Sequence, residues 1–212
     1  MSETKIRDQI TGYAKSLFDR GLTAGSTGNI SVRVDDGWLM TPTGSSMGAI
    51  DPSRIAKLDE AGRHISGDAP TKEAFLHRVM YEKRPRARAV VHLHSTYSVA
   101  VSCLCGLDHD DVLPPLTAYY VMRVGRLPLV PYYPPGDEAL AQAVAERTAN
   151  SHAVLLANHG PVIAGADLSE AVYSVEELEE TAKLFLLLRG EKTRPLSCDE
   201  TTELQRRFPA KC

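Results

Sequence analysis

Arg88-Ala89-Val90-Val91-His92-Leu93-His94-Ser95 is an apolar, β-rich run that ends in two histidines two residues apart. Alternate side chains of a strand share a face, so His92 and His94 point the same way. Neutral imidazoles bind zinc at about 2.0 Å and a catalytic zinc keeps one position open, so at least one further protein ligand is expected elsewhere in the chain. A hydrogen-bonded or exposed histidine pair is the other reading of the same residues.

Upstream of this run, Ile6, Ile10, Tyr13, Ala14, Leu17 and Phe18 recur at helical spacing, which predicts an amphipathic helix over 4–21 ended by Gly21. Gly25-Ser26-Thr27-Gly28-Asn29 is a small polar loop feeding the alternating run Ile30 to Val34, and Asp35-Asp36-Gly37 turns it into Trp38 to Thr41, a β-hairpin. Thr43-Gly44-Ser45-Ser46-Met47-Gly48 repeats the same loop chemistry. Amides freed by glycine, with clustered hydroxyls, either wrap an anion or make an ordinary turn; no P-loop pattern is present. A helical turn at 51–54 and a strand at 55–58 follow. The loop from Ser66 runs into a helix expected to open near Pro70 or Thr71, placing Thr71, Lys72 and Glu73 in its first turn, where amides attract anions.

After the histidine run, Ser95 or Thr96 is the expected N-cap of a helix reaching 104 and closed by Gly106. His109 reads as a solvated loop residue. The proline spacing from Leu113 to Pro131 predicts loop and edge strand rather than a long helix, with Tyr119 and Tyr120 as packing residues. A helix is expected from Gly136 to Ala149. Ala153 to Ala157 is a fully apolar strand, turned by Asn158-His159-Gly160-Pro161 into Val162 to Gly165, so His159 stands at a strand end and is placed to complete a site. Asp167 or Ser169 caps a last long helix to about 189, with Glu176, Glu177, Glu179 and Glu180 on its solvated side. From Gly190 onward the chain reads as a polar tail.

Composition narrows the function. A net charge of -3 over 212 residues offers no basic footprint for nucleic acid. Charges at Lys5, Arg7, Asp8, Lys15, Asp19 and Arg20 break any signal-peptide core, and no run reaches the roughly 20 apolar residues of a membrane span. The expectation is a cytoplasmic protein of one domain over 1–189 with a tail over 190–212, contacting neither nucleic acid nor membrane. Cys103, Cys105, Cys198 and Cys212 form no CxxC pair, and Cys103 and Cys105 are expected to be buried in their apolar run.

Taken together, Ser26-Thr27-Gly28-Asn29-Ile30-Ser31, Thr43-Gly44, Pro70-Thr71-Lys72-Glu73, His92-Leu93-His94-Ser95 and Asn158-His159-Gly160 resemble, in order, the motifs of the class II aldolase/adducin family of zinc-dependent sugar-phosphate enzymes. The resemblance covers the chain to about residue 189. It implies one zinc per subunit, held by His92, His94 and His159, with Glu73 as the acid/base beside it, and a phosphate pocket from Asn29, Thr43, Gly44, Thr71 and Lys72. It also implies a homotetramer with sites at subunit interfaces and a catalytic tyrosine donated by a neighbour, matching Tyr119, with Tyr120 second. The fold it implies is a single α/β/α layered domain with a central, mainly antiparallel sheet.

Lys72 stands where fuculose phosphate aldolases have a second serine, and Glu73 where the 4-epimerases have aspartate. The chain is most similar to the 3-oxo-tetronate 4-phosphate decarboxylase branch, which implies a carboxy-lyase that releases CO2 and dihydroxyacetone phosphate, with the metal stabilising the enediolate charge. Sugar-phosphate aldolase and pentulose phosphate 4-epimerase activities use the same stabilisation and are the alternatives. An adducin-like interaction module is the alternative of another class, and retention of His92, His94, His159 and Glu73 argues for an enzyme.

Overall fold

Along the central run, Ala89, Val91 and Leu93 enter one hydrophobic cluster and Val90 enters another, so the strand is buried on both faces and divides the core in two. A computed structural model describes residues 2–134, 137–209 and 212 of the chain. The strands are β1 (Asn29–Val34), β2 (Gly37–Met40), β3 (Ala56–Asp59), β4 (His64–Ser66), β5 (Ala89–His92), β6 (Leu129–Val130), β7 (Ala153–Leu156) and β8 (Gly160–Gly165). They form one eight-stranded sheet in the order β4-β3-β2-β1-β5-β8-β7-β6. Every neighbouring pair is antiparallel except β6 with β7.

On one face lie α1 (Glu3–Asp19), α3 (Thr96–Ser102), α4 (Ala118–Arg123) and α6 (Leu168–Leu187), which contribute Leu17, Val101, Tyr120 and Val175 to the first cluster. On the other lie α2 (Ala74–Lys83) and α5 (Glu138–Arg147), which contribute Leu76, Met80, Leu140 and Val144 to the second. Both sheet faces are covered, so this is the expected α/β/α arrangement. Asp137 caps α5 through the Ala139 amide; Gly136, expected to begin that helix, lies outside the described residues.

Several elements differ from the sequence-based expectation. The helix at Ala74 starts later than expected, because Lys72 and Glu73 form a turn closed by the Ala74 amide on the Thr71 carbonyl, with Glu73 at the N-cap position; Thr71 and Lys72 therefore precede the helix. A short helix, α4, forms inside the proline-rich stretch, where Thr117 accepts from the Tyr120 amide and the prolines fall outside the helical turns. Cys103 and Cys105 are exposed, since α3 has ended by Ser102 and both lie in the turn beyond it. The polar segment after Gly190 is not featureless: α7 (Cys198–Arg207) opens with a reciprocal capping box between Ser197 and Glu200, and Leu196 and Leu204 lie against the first cluster.

Glu179 is also not on a solvated face. It is 7 % exposed, and its carboxylate accepts from the amides of Tyr97 and Ser98 at 2.7 and 2.8 Å and from the Ser98 hydroxyl at 2.7 Å. Ser95 occupies the N-cap position of α3 but makes no capping bond of its own. A side chain 81 to 82 residues away thus satisfies orphan amides of the helix that follows the histidine run. Glu179→Ala is expected to cost about 3 kcal/mol by stranding these donors, read as a lower denaturant midpoint with unchanged slope. A midpoint equal to the parent protein's would show that the cap carries no stability.

Candidate metal and catalytic site

β5 ends at His92, directly across from Asn29 at the start of β1 and from Val162 in β8. Because the strands are antiparallel, one end of the sheet gathers the end of β5 and the beginnings of β1 and β8. His92 is fully buried, and its Nδ1 lies 2.8 Å from the Pro161 carbonyl. A carbonyl only accepts, so Nδ1 carries the proton and Nε2 turns a lone pair toward His94, whose Nε2 is 3.1 Å away.

His159 reaches the same point from the β7–β8 turn. Asn158 adopts a left-handed φ of 56°, and its side chain donates to the Cys103 sulfur. Gly160, at φ +151°, passes so close to the preceding segment that a Cβ would sit 2.2 Å from the Leu93 carbonyl oxygen. Only glycine permits this approach, which brings the His159 ring within 4.6 Å of the His94 ring and 4.9 Å of the His92 ring.

Glu73 closes the group from the loop before α2. Its Oε1 is 3.1 Å from His159 Nε2 and its Oε2 is 3.4 Å from His92 Nε2. One ligand atom from each of Glu73, His92, His94 and His159 falls within 4.8 Å of every other. A tetrahedral zinc with Zn–N bonds of about 2.0–2.1 Å spaces its ligands by about 3.3 Å; the His92–His94 contact of 3.1 Å is of that size, and His159 and Glu73 lie within 4.8 Å of both.

Electrostatics prepares the same group. Burial pushes His92 down from its ordinary value and His94 down to about 4, so both rings are neutral and able to ligate near neutral pH. Burial pulls the Glu73 carboxyl upward, but the hydrogen bond from His159, the neighbouring His92 ring and the bond from Asn29 outweigh it and hold the group below the usual carboxylate range.

The two polar loops meet beside this centre. The Thr43 amide donates to Ala69 and the Thr71 amide to Thr41, and a bridge joins Pro42 to Pro70, so Thr43 and Gly44 lie next to Thr71 and Lys72. Thr43, Gly44 and Lys72 are exposed, and Thr71 is buried. Asn29 is only 4 % exposed; its amide nitrogen faces Glu73 Oε2 at 2.8 Å and Thr71 Oγ1 at 3.2 Å. Both amide hydrogens of Asn29 are thereby directed to protein groups. Tyr119 is 60 % exposed on α4, whereas Tyr120 is buried.

Sequence reasoning passed over part of this neighbourhood. A cavity of about 600 Å³ opens beside His94 and His159, lined also by Thr96, Val99, Tyr132, Tyr133 and Asn158. Tyr132 and Tyr133 lie in a proline-rich loop with no local signature of function. His77 carries no functional signal in its local sequence. It is fully buried on α2, one helical turn from Glu73, and contacts Asn29 and Ser31.

Burial lowers the His77 pKa from the ordinary 6.5 to about 3. The unfolded chain therefore binds the extra proton first, and folding stability is complete above about pH 6.5 and lost as pH falls toward 3. Denaturant titrations between pH 7.5 and 4.5 are expected to show that loss, reduced in His77→Gln. An identical pH slope in both proteins would remove His77 as its source.

Residues 8–186 match the family model described as Class II Aldolase and Adducin N-terminal domain. The chain belongs to the class II aldolase/adducin family. Among its relatives in this family, the 3-oxo-tetronate 4-phosphate decarboxylase of Escherichia coli strain K12 is 50% identical over 204 residues, 96% of each chain. The L-fuculose phosphate aldolase of Methanocaldococcus jannaschii is 37% identical, over 85% of this chain and 96% of its own. The crystal structure of Escherichia coli YgbL superposes with a TM-score of 0.93 at 49% identity, covering 96% of this chain and 99% of that one. Membership of this family, with decarboxylase-named relatives along nearly the full chain, makes the protein an enzyme of the lyase class. Among the described residues, no helix is long and apolar enough to cross a membrane.

Proposed function

We propose that the protein decarboxylates a 3-oxo-tetronate 4-phosphate to dihydroxyacetone phosphate and CO2, with one zinc ion per subunit held by His92, His94 and His159. The observation that carries this reading is the convergence of His92, His94 and His159 with Glu73 beside them, in a chain half identical to decarboxylase-named relatives over nearly its whole length. A zinc ion, when bound, supplies a Lewis acid for the negative charge that CO2 leaves on the carbon beside the ketone.

The protein's own groups handle position and protons. Glu73 is ionised in the resting site, so it enters as an acceptor for the substrate hydroxyl next to the departing carboxylate. Once protonated there, it is assigned to deliver that proton to the carbon that lost CO2. The reaction consumes one proton overall. Tyr119 is the second donor, reaching the site of a neighbouring copy in a homotetramer; its exposure on α4 supports that role.

Thr43, Gly44, Thr71 and Lys72 form the phosphate pocket, with Asn29 behind them, holding Thr71 and Glu73 in place. A cation clamped on the departing carboxylate would stabilise the ground state and oppose its loss, so Lys72 is assigned to the phosphate. Lys72→Ala is expected to raise KM for phosphorylated substrate by about 10- to 100-fold while leaving turnover of the dephosphorylated analogue nearly intact. Equal loss on both substrates would overturn the assignment.

The reaction itself is tested by offering the zinc-loaded protein a panel of 3-oxo-tetronate 4-phosphates, aldol adducts and pentulose phosphates. Triose phosphate with CO2 is the expected product. Aldehyde or epimer in its place would move the protein to the aldolase or epimerase reading, and a purified protein without stoichiometric zinc that gains no turnover when zinc is added would favour a binding module. The expected location is the cytoplasm.

A further inference from the structure

Behind Glu73 runs a chain of buried polar groups that no catalytic step yet uses. Asn29 Oδ1 meets His77 Nε2, His77 Nδ1 meets Ser31 Oγ at 2.7 Å, and Ser31 Oγ meets Tyr81 OH at 2.8 Å. Ser31 and His77 are fully buried and Tyr81 is 1 % exposed, so these groups satisfy one another. Tyr81 is itself clamped, stacked on Trp38 at 5.9 Å with Arg33 over its ring at 4.7 Å.

Donor and acceptor chemistry gives this chain one direction. The Glu73 carboxylate accepts only, so the Asn29 nitrogen faces it and the Asn29 oxygen is left toward His77. That oxygen accepts only, so His77 holds its proton on Nε2. Nδ1 is then an acceptor, Ser31 donates to it, and Tyr81 donates to Ser31. Reversing any link would set two donors or two acceptors face to face in a dry interior. An asparagine amide does not relay protons, so the chain orients Glu73 rather than conducting to it.

We propose that His77 is a positioning residue: by donating from Nε2 to Asn29 Oδ1, it locks the Asn29 amide with its nitrogen toward Glu73 Oε2 and Thr71 Oγ1, holding the acid/base carboxylate against the histidine cluster. This rests on the reading of Glu73 as the group that handles the proton. Glu73 stands at the N-cap position of α2, four residues before His77, and the β1 register of Asn29 and Ser31 places both on the face toward α2, so the lock ties the Glu73 turn to two rigid elements.

The test is a pair of variants and a spectroscopic readout on the full-length, zinc-loaded protein. Long-range 1H–15N correlations of histidine-labelled protein are expected to show His77 protonated on Nε2 alone. His77→Phe is expected to lower kcat by about 10- to 100-fold with KM within about 3-fold and zinc content unchanged. His77→Gln, whose amide can still donate to Asn29, is expected to regain most of kcat. A proton on Nδ1, or a kcat loss as deep in His77→Gln as in His77→Phe, would overturn the proposal.

Should the parent protein turn over nothing in the substrate panel, the reaction reading fails, and the Asn29 side-chain amide signals decide instead. Slow exchange retained in His77→Gln and lost in His77→Phe supports the lock. Equal behaviour in the two variants overturns it.

Discussion

His92→Ala is expected to purify without stoichiometric metal and to lose activity by at least about a thousandfold. His92 is fully buried, and its Nε2 stands within 3.4 Å of His94 Nε2 and of Glu73 Oε2, so its removal takes the innermost donor from the cluster. The Pro161 carbonyl that fixes its tautomer loses its donor at the same time. Loss of one second-sphere partner already costs metal sites about 10- to 100-fold in affinity, and loss of a ligand from a three-histidine set costs more. Metal analysis of purified protein beside an assay in added zinc checks both consequences. One equivalent of tightly held zinc, with activity within tenfold of the parent, would exclude His92 as a ligand.

Glu73→Gln is expected to keep the metal and lose turnover, with kcat down by about 10²- to 10⁴-fold. Gln is nearly isosteric, and its side-chain oxygen still accepts from Asn29, so the shape of the site survives. It neither takes up nor delivers a proton at the substrate carbon, and the three histidines remain to hold the ion. A variant that lost zinc in parallel with activity would make Glu73 chiefly a ligand. A variant with unchanged kcat would transfer the proton step to another group, with Tyr119 the next to be substituted.

These two residues differ in how far a linear reading reaches. His92 and His94 are two apart on one strand, and the pleat puts both on one face whatever surrounds them. Glu73 precedes α2, whose first buried residue is Leu76, and its partners come from three other parts of the chain. A helix that begins at Thr71 and one that begins at Ala74 look alike in sequence; packing of 69–71 against Thr41 to Thr43 decides between them. The helix α7 was legible as a capping box, Ser197-x-x-Glu200, yet a segment so polar reads as tail until Leu196 and Leu204 find the core.

The sequence by itself determined the strand that ends in His92 and His94, the turn that carries His159, and the family, because each depends on periodicity or on motifs a few residues long; the α/β/α class followed from the resemblance to that family. The tertiary structure alone decided that Asn29 lies across from His92, that Glu179 caps the helix after the metal run, and that His77 stands behind Glu73 through Asn29. Each of these contacts joins residues 44 to 82 positions apart. No local spacing encodes them. They exist because antiparallel pairing returns β1, β5 and β8 to one end of the sheet, and because buried donors and acceptors must find one another once the sheet and helices have excluded water.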